Sequence, residues 1–208
     1  MATDTSAVNN KDAFIRKFDP TVNRGSLTDL HVFNRNDNND IRRSIIHFTL
    51  PSDPGGTVTD VSLYLYGFAG SKFGATPWKV NVHQLTQTGW VESQNTWNRY
   101  ATGLNWATAG GDYNTTVIDQ IDGVGNHSAW VKFDIMGGSA LNPLSLTWGD
   151  ELHLLLKVDS ETGGIGNWLE ENYYSKEFST PSLRPYLEVT YTTGGGAPHR
   201  SQFRAVRL

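Results

Sequence analysis

Two alternating apolar runs on either side of a Pro/Gly turn, within residues 39–66, constrain this chain more than any other feature. In the first run Ile46 and Phe48 share one side of the chain, and in the second Leu63 and Leu65 do. A period of two with one apolar side is typical of β-strands that are buried on one face. The stretch therefore predicts two neighbouring strands with outer faces open to solvent.

Similar short runs recur along the chain, and turn residues separate them. No stretch of twelve residues has a convincing helical period, and no internal repeat is visible. We therefore predict an all-β fold, a single antiparallel, jelly-roll-like β-sandwich over residues 12–193. A polar arm, residues 1–11, precedes it, and a Gly-rich joint with a basic tail, residues 194–208, follows. Besides the opening stretch, strands are expected near 12–17, 30–33, 78–85, 130–135, 151–158, 172–177 and 185–192.

Composition excludes several classes of protein. The 208 residues include no Cys, which rules out disulfides and thiolate metal sites. The net charge of −4 gives no global field that would attract nucleic acid. The first residues have neither the basic nor the apolar region of a signal peptide, and no apolar run is long enough to cross a membrane. We expect no nucleic-acid or membrane partner.

No motif for catalysis occurs in the chain. Two carboxylate pairs, Asp150-Glu151 and Glu170-Glu171, are adjacent in sequence. A glycosidase needs two carboxyl groups at a set distance across a cleft, which neighbours do not supply by themselves. We expect no catalytic residue and no enzymatic activity.

No spacing of metal-binding residues in the sequence predicts a cofactor. The six His residues never fall at a metal-binding spacing, and His47, His83 and His153 are expected on solvent-facing strand positions. The pair Arg42-Arg43 is expected at a solvated strand start.

The sequence leaves open one kind of metal site, which three aspartates could form. Asp12, Asp134 and Asp150 offer hard oxygen ligands for structural calcium. Strand-end and turn roles are the simpler interpretation of all three.

Aromatic residues in or beside loops are the candidates for carbohydrate binding. Sugars have apolar faces that stack on aromatic rings, and polar neighbours can bind their hydroxyl groups. The alternative is that these rings are packed inside, since each buries roughly 150–250 Å². The candidates are Trp90, Trp97, Trp106, Trp168, Tyr173 and Tyr174.

The basic, partly apolar tail is the candidate for contacts with other subunits. Its Arg side chains can pair with carboxylates while its apolar side chains fill pockets on a neighbour. The candidates are Arg200, Phe203, Arg204, Arg207 and Leu208.

Several stretches, in order, resemble the DNRLRE-type domain, a β-sandwich related to carbohydrate-binding modules of polysaccharide lyases. They are DAFIR at 12–16, the N-x-G at 23–25 followed by LHVF, RRSIIHFTLP at 42–51, VTDVSLYLY at 58–66, W-V-E…T-W at 90–97, WVKFDI at 130–135, and YYSKE…RPYLEVTY ending at Tyr191. The segment 103–125 has no counterpart, and Thr49 stands where the family has Asp. The resemblance implies a jelly-roll-like sandwich with a non-catalytic role.

Two functions follow from these expectations. The first is a structural or assembly protein, such as a phage head-decoration or tail protein on the virion surface, whose partners are other copies of itself, with a trimer as the guess by analogy, or a capsid or tail protein. The alternative is a carbohydrate-binding module of a secreted or cell-surface protein that acts on polysaccharides. An assembly protein could also bind host-surface polysaccharide, so the two are compatible.

Overall fold

The computed structural model describes residues 7, 9–35, 39–73, 78–125, 128–162, 168–193 and 199–202. For residues 69, 71–73, 168, 169 and 199–202 only the backbone is described. No helix in these ranges is long and apolar enough to cross a membrane. The strands are β1 (Asn9–Arg16), β2 (Asp29–Arg35), β3 (Asp40–Thr49), β4 (Gly56–Phe73), β5 (Lys79–Leu85), β6 (Arg99–Ala101), β7 (Leu104–Asn105), β8 (Tyr113–Asp122), β9 (Ala129–Met136), β10 (Glu151–Val158), β11 (Trp168–Tyr174), β12 (Tyr186–Thr193) and β13 (His199–Gln202).

Eleven of these strands form one antiparallel sheet that closes almost completely on itself. The order is β13-β12-β4-β11-β2-β3-β10-β5-β8, with β1 added to β3 and β9 added to β4. Near the two ends of this order, the backbone N–H of Asp134 on β9 donates to Asp119 Oδ2 on β8 at 2.7 Å. The strands thus enclose a common interior, and the predicted all-β, sandwich-like fold is confirmed.

The main core lies inside this sheet. It takes side chains from strands in every part of the sheet, including Phe48 on β3, Leu63 and Leu65 on β4, and Phe133 on β9, all fully buried. The inward phase that the alternation predicted for β3 and β4 is therefore correct.

A second core covers the outer face of β1, β3 and β10. The segment between β5 and β8 folds over these strands and packs Trp90, Trp97 and Trp106 against side chains such as Ile45 and Leu155. All three rings are at most 5 % exposed. The expectation that the outer face of β3 is open to solvent was wrong, because a distant loop supplies an apolar cover.

The same cover buries part of the Arg42-Arg43 pair, which is not the solvated strand start that we expected. Arg43 is 8 % exposed and binds both carboxylate oxygens of Glu161, at 2.8 and 2.6 Å. Its Nη1 donates to the backbone oxygen of Gly110 at 2.7 Å, and its guanidinium lies 4.9 Å from the centre of the Trp97 ring. Burial of this charge is tolerated because its donors are satisfied.

Four strands had no counterpart among the predicted elements. The short β6 and β7 pair with each other, β8 falls in segment 103–125, and β13 lies in the predicted tail, where its backbone pairs with β12. In β8 only Ile118 is buried, so its sequence carries almost no apolar alternation.

Truncating Trp97 should destabilise the fold. We expect Trp97→Ala to lower the free energy of unfolding by about 3–5 kcal/mol, because it leaves a cavity between the loop and the sheet. Leu104→Ala, at a side chain that is 50 % exposed, is the control and should change stability by less than about 0.5 kcal/mol. Urea denaturation measures both, and equal losses would contradict the assignment of Trp97 to a core.

Candidate functional site

A continuous group of aromatic rings lies on the outer side of the sheet around β4, on the surface that the tryptophan-bearing loop does not cover. We call this group the aromatic face. All its rings are partly exposed except that of Tyr186, which is 6 % exposed. Its members are Tyr64, Tyr66, Phe68, Trp130, Tyr174, Phe178 and Tyr186.

The alternation of β4 creates this face. Leu63 and Leu65 point into the main core, so Tyr64 and Tyr66 between and after them point outward. The strand register then brings Trp130 of β9 opposite Tyr66, and it brings Tyr186 of β12 opposite Tyr64. Cross-strand pairing therefore joins aromatic side chains from three strands.

The rings of one half of the aromatic face are in direct contact. Tyr64 stacks on Tyr186 with ring centres 4.8 Å apart, and Tyr186 meets the edge of Trp130 at 5.0 Å. Trp130 in turn meets Tyr66 at 5.3 Å with nearly perpendicular planes. These are preferred geometries for aromatic pairs, and they hold the rings in place.

The other half continues from Tyr66 towards the turn after β11. Tyr66 and Tyr174 are stacked 5.9 Å apart. Tyr174 also stacks on Phe68 at 4.3 Å and on Phe178 at 3.5 Å. The seven rings therefore form one connected surface.

Polar groups border this surface. Lys132 lies opposite Tyr64 in the register, and its Nζ is 2.5 Å from Asp134 Oδ1. Arg184 donates through Nε to the backbone oxygen of Phe178 at 2.7 Å. Aromatic rings with charged groups at the edge are the composition expected of a surface that binds sugars.

Of the aromatic residues singled out from the sequence, Tyr174 lies in the aromatic face. Trp90, Trp97 and Trp106 pack in the second core, and Tyr173, 0 % exposed, points into the main core. These four rings have almost no solvent-exposed area on which a sugar could stack. The side chain of Trp168 lies outside the described residues.

The subunit-contact candidates fall almost entirely outside the described part of the chain. Only the backbone of Arg200 is described, and it pairs with Thr190 of β12. The side chain of Arg200 and all of Phe203, Arg204, Arg207 and Leu208 lie outside. Their role in assembly remains a prediction.

The adjacent carboxylates have structural partners. Asp150 Oδ2 accepts from the backbone N–H of Thr147 at 2.7 Å, and Glu170 accepts from Arg42 at 3.1 Å. Glu171 Oε1 accepts from two backbone N–H groups, those of Val124 and Gly125, at 2.6 and 2.7 Å. These hydrogen bonds give Asp150, Glu170 and Glu171 structural roles, in a turn or between segments of the sheet.

Three histidines expected on solvent-facing positions are buried instead. His47, His83 and His153 are 6, 4 and 4 % exposed, because the tryptophan-bearing segment and β8 cover the strand faces that carry them. His47 and His153 stack with ring centres 4.0 Å apart. Burial, the neighbouring His153 and Lys11 lower the pKa of His47 to about 4.

His47, Glu151 and His153 also form a group with the residue types of a metal site. However, Trp90 donates through Nε1 to His153 Nδ1 at 3.2 Å. An indole nitrogen is a donor only, so the proton of neutral His153 resides on Nε2, which faces Glu151 Oε2 at 3.5 Å. With the Lys11 ammonium also nearby, the arrangement favours a neutral stacked pair over a metal centre.

A second group of possible ligands consists of Asp12, Glu92 and Glu177. Burial raises the pKa of Asp12 to about 8. The other two aspartates considered from the sequence, Asp134 and Asp150, belong to neither group of possible ligands among the described residues.

The buried histidine pair should make stability depend on pH. Unfolded His47 titrates near pH 6.5 and folded His47 near 4, so the unfolded state binds the proton first as pH falls. We expect that the unfolding free energy of the native protein, relative to that of His47→Phe, falls by about 2–3 kcal/mol between about pH 7.5 and about pH 4.5. The variant keeps an aromatic ring against His153 and lacks the titrating group. A difference that stays constant across this range in denaturation curves would contradict the pKa shift.

Comparison with known proteins identifies the family of this chain. No curated protein matches it significantly. Among solved structures, the CBM22-1–GH10 modules of endo-1,4-beta-D-xylanase 10B from Clostridium thermocellum, complexed with xylohexaose, align at 13 % identity. The alignment covers 94 % of this chain and 30 % of that one, with a TM-score of 0.28, which is too low to support an argument.

The family match is more extensive. The model of carbohydrate-binding module family 96 matches residues 3–190, which include β1 to β11 and most of β12. This range contains every ring of the aromatic face. On this match, the chain belongs to carbohydrate-binding module family 96.

Proposed function

We propose that this protein binds polysaccharide through the aromatic face and carries out no catalysis itself. The observation that carries the proposal is the continuous surface of partly exposed rings on β4, β9, β11 and the turn after β11. Membership of a carbohydrate-binding module family supports the same function.

Stacking explains why such a surface suits a sugar chain. The C–H groups on one side of a pyranose ring form an apolar patch that packs on an aromatic ring, and its hydroxyl groups stay at the edge in reach of water and polar side chains. Contacts between the rings reduce their freedom before binding, which lowers the entropy cost of ordering them in a complex. The rings of the aromatic face are thus preorganised for a ligand.

The extent of the face favours a chain over a single sugar. From Tyr64 to Phe68 the rise along β4 is roughly 13 Å. Trp130 and Tyr174 extend the surface sideways onto β9 and β11. An oligosaccharide can therefore contact several rings at once, and the sum of weak contacts gives useful affinity.

The charged groups at the border can orient the sugar chain. Lys132 and Arg184 can donate hydrogen bonds to sugar oxygens that project from the rings, while Asp134 can accept them. Hydrogen bonds at the rim select among glycans, whereas the rings supply most of the apolar contact.

An exposed aromatic surface could instead bind another protein chain. The virion or assembly role expected from the sequence would use such a contact. Self-association that is lost on substitution of the aromatic face, without any glycan binding, would be the result in favour of that function.

Substitutions on the aromatic face should abolish most of the binding. We expect Tyr66→Ala and Trp130→Ala each to weaken binding at least about tenfold, since burying an aromatic side chain is worth roughly 1.5–3 kcal/mol and 1.4 kcal/mol is tenfold. Affinity electrophoresis against a panel of neutral and acidic polysaccharides finds the ligand, and calorimetry with derived oligosaccharides measures affinity.

Phe18→Ala is the matched control, because Phe18 is 59 % exposed and lies outside the aromatic face. Its affinity should equal that of the native protein. Thermal unfolding of each variant checks that the fold is kept. Equal affinity in all variants would refute this location of the site, and failure of the native protein to bind any polysaccharide in the panel would refute the function.

A further inference from the structure

Three carboxylates from distant parts of the chain meet beside the middle of β1. Asp12 lies on β1, Glu92 on the segment after β5, and Glu177 on the turn after β11. One carboxylate oxygen of each lies within 4.8 Å of one oxygen of each of the others. Like charges at this distance repel strongly unless a proton or a cation lies between them.

Asp12 is the buried member, at 1 % exposed. Its Oδ2 accepts hydrogen bonds from Asn9 Nδ2 at 2.7 Å and from the backbone N–H of Lys176 at 2.8 Å. Its Oδ1 is buried and accepts none, and the same holds for the amide oxygen of Asn9 beside it. A buried, ionised carboxylate oxygen without a donor is costly, so either a proton or a bound cation must compensate it.

The surrounding backbone holds the three groups in position. Glu92 Oε1 accepts from the backbone N–H of Asp12 at 2.7 Å. The backbone oxygen of Glu92 accepts from Asn23 Nδ2 at 2.7 Å. Gly25 packs so closely that a Cβ there would lie 2.1 Å from the same oxygen. These contacts fix the loops that carry Asn23, Gly25 and Glu92 to the sheet at Asp12.

The Lys176 ammonium compensates only part of the negative charge of this cluster. Its Nζ lies 3.1 Å from Glu92 Oε2 and contacts Glu177 Oε1. The ammonium therefore contacts two of the three carboxylates. Its side chain is 23 % exposed, so the ammonium can move to solvent when another cation enters.

We propose that Asp12, Glu92 and Glu177 bind a divalent cation of the calcium class. All three offer hard oxygen ligands, which calcium prefers and zinc does not. Two oxygens bound to one calcium at about 2.4 Å are at most about 4.8 Å apart, which matches the spacing of this group. The orphaned Asp12 Oδ1 is the ligand atom that hydrogen bonding within the chain leaves free.

The bound ion would connect β1 to the turn that carries part of the aromatic face. Glu177 lies between Tyr174 and Phe178, whose rings stack at 3.5 Å. Binding at Glu177 therefore restrains the turn between two aromatic residues. The ion site does not depend on the proposed glycan binding, because it can be measured without any sugar.

Calcium titration of chelator-treated protein tests the proposal directly. We expect millimolar CaCl2 to raise the melting temperature of the native protein by several degrees, and calorimetry to show one site. Asp12→Asn should lose this response. If Asp12→Asn does not fold, Glu177→Gln is the second variant and should weaken calcium binding at least about tenfold.

Two further variants make the result specific. Glu151→Gln alters the other group of possible ligands and should leave the calcium response unchanged. Lys176→Met removes the competing ammonium and should strengthen calcium binding severalfold. No calcium-dependent stabilisation of the native protein, an equal response in Asp12→Asn, or loss of the response in Lys176→Met would each overturn the proposal.

Discussion

The packing of Trp90, Trp97 and Trp106 onto the outer face of β1, β3 and β10 is the contact on which the rest of the structure depends. It turns the outer face of these three strands into a second core and leaves the three indole rings almost without exposed area. It also buries nearby polar groups. Arg43 is held there by a bidentate pair with Glu161, and His47 is held in a stack on His153.

Among the described residues, the outer surface around β4 carries a connected group of partly exposed aromatic rings. Alternation lets β4 contribute to both the main core and the aromatic face. Leu63 and Leu65 enter the core, and Tyr64 and Tyr66 point outward. Neighbouring strands then place Trp130 and Tyr186 in register with these tyrosines. The same period of two that builds the fold therefore builds the candidate binding surface.

The fold class and the inward faces of the strands were predictable from the sequence, because alternation is a local signal. The cover over β3 was not, since it joins residues far apart in the chain, as the bond from the Arg43 side chain to the backbone oxygen of Gly110 illustrates. β8 escaped prediction because only Ile118 in it is buried. For the candidate site, the alternation in the sequence predicts that the side chains of Tyr64 and Tyr66 point outward. Their aromatic neighbours on β9 and β12 follow only from the strand register, which the sequence does not show.

The central claim is that polysaccharide binds on the aromatic face and not on the tryptophan-bearing segment. Mapping backbone amide chemical shifts of isotope-labelled protein during titration with a bound oligosaccharide tests this directly. We predict that the largest changes occur at residues 64–68, 129–132, 174–178 and 184–186. Changes centred on residues 90–106, with the aromatic face unaffected, would contradict it.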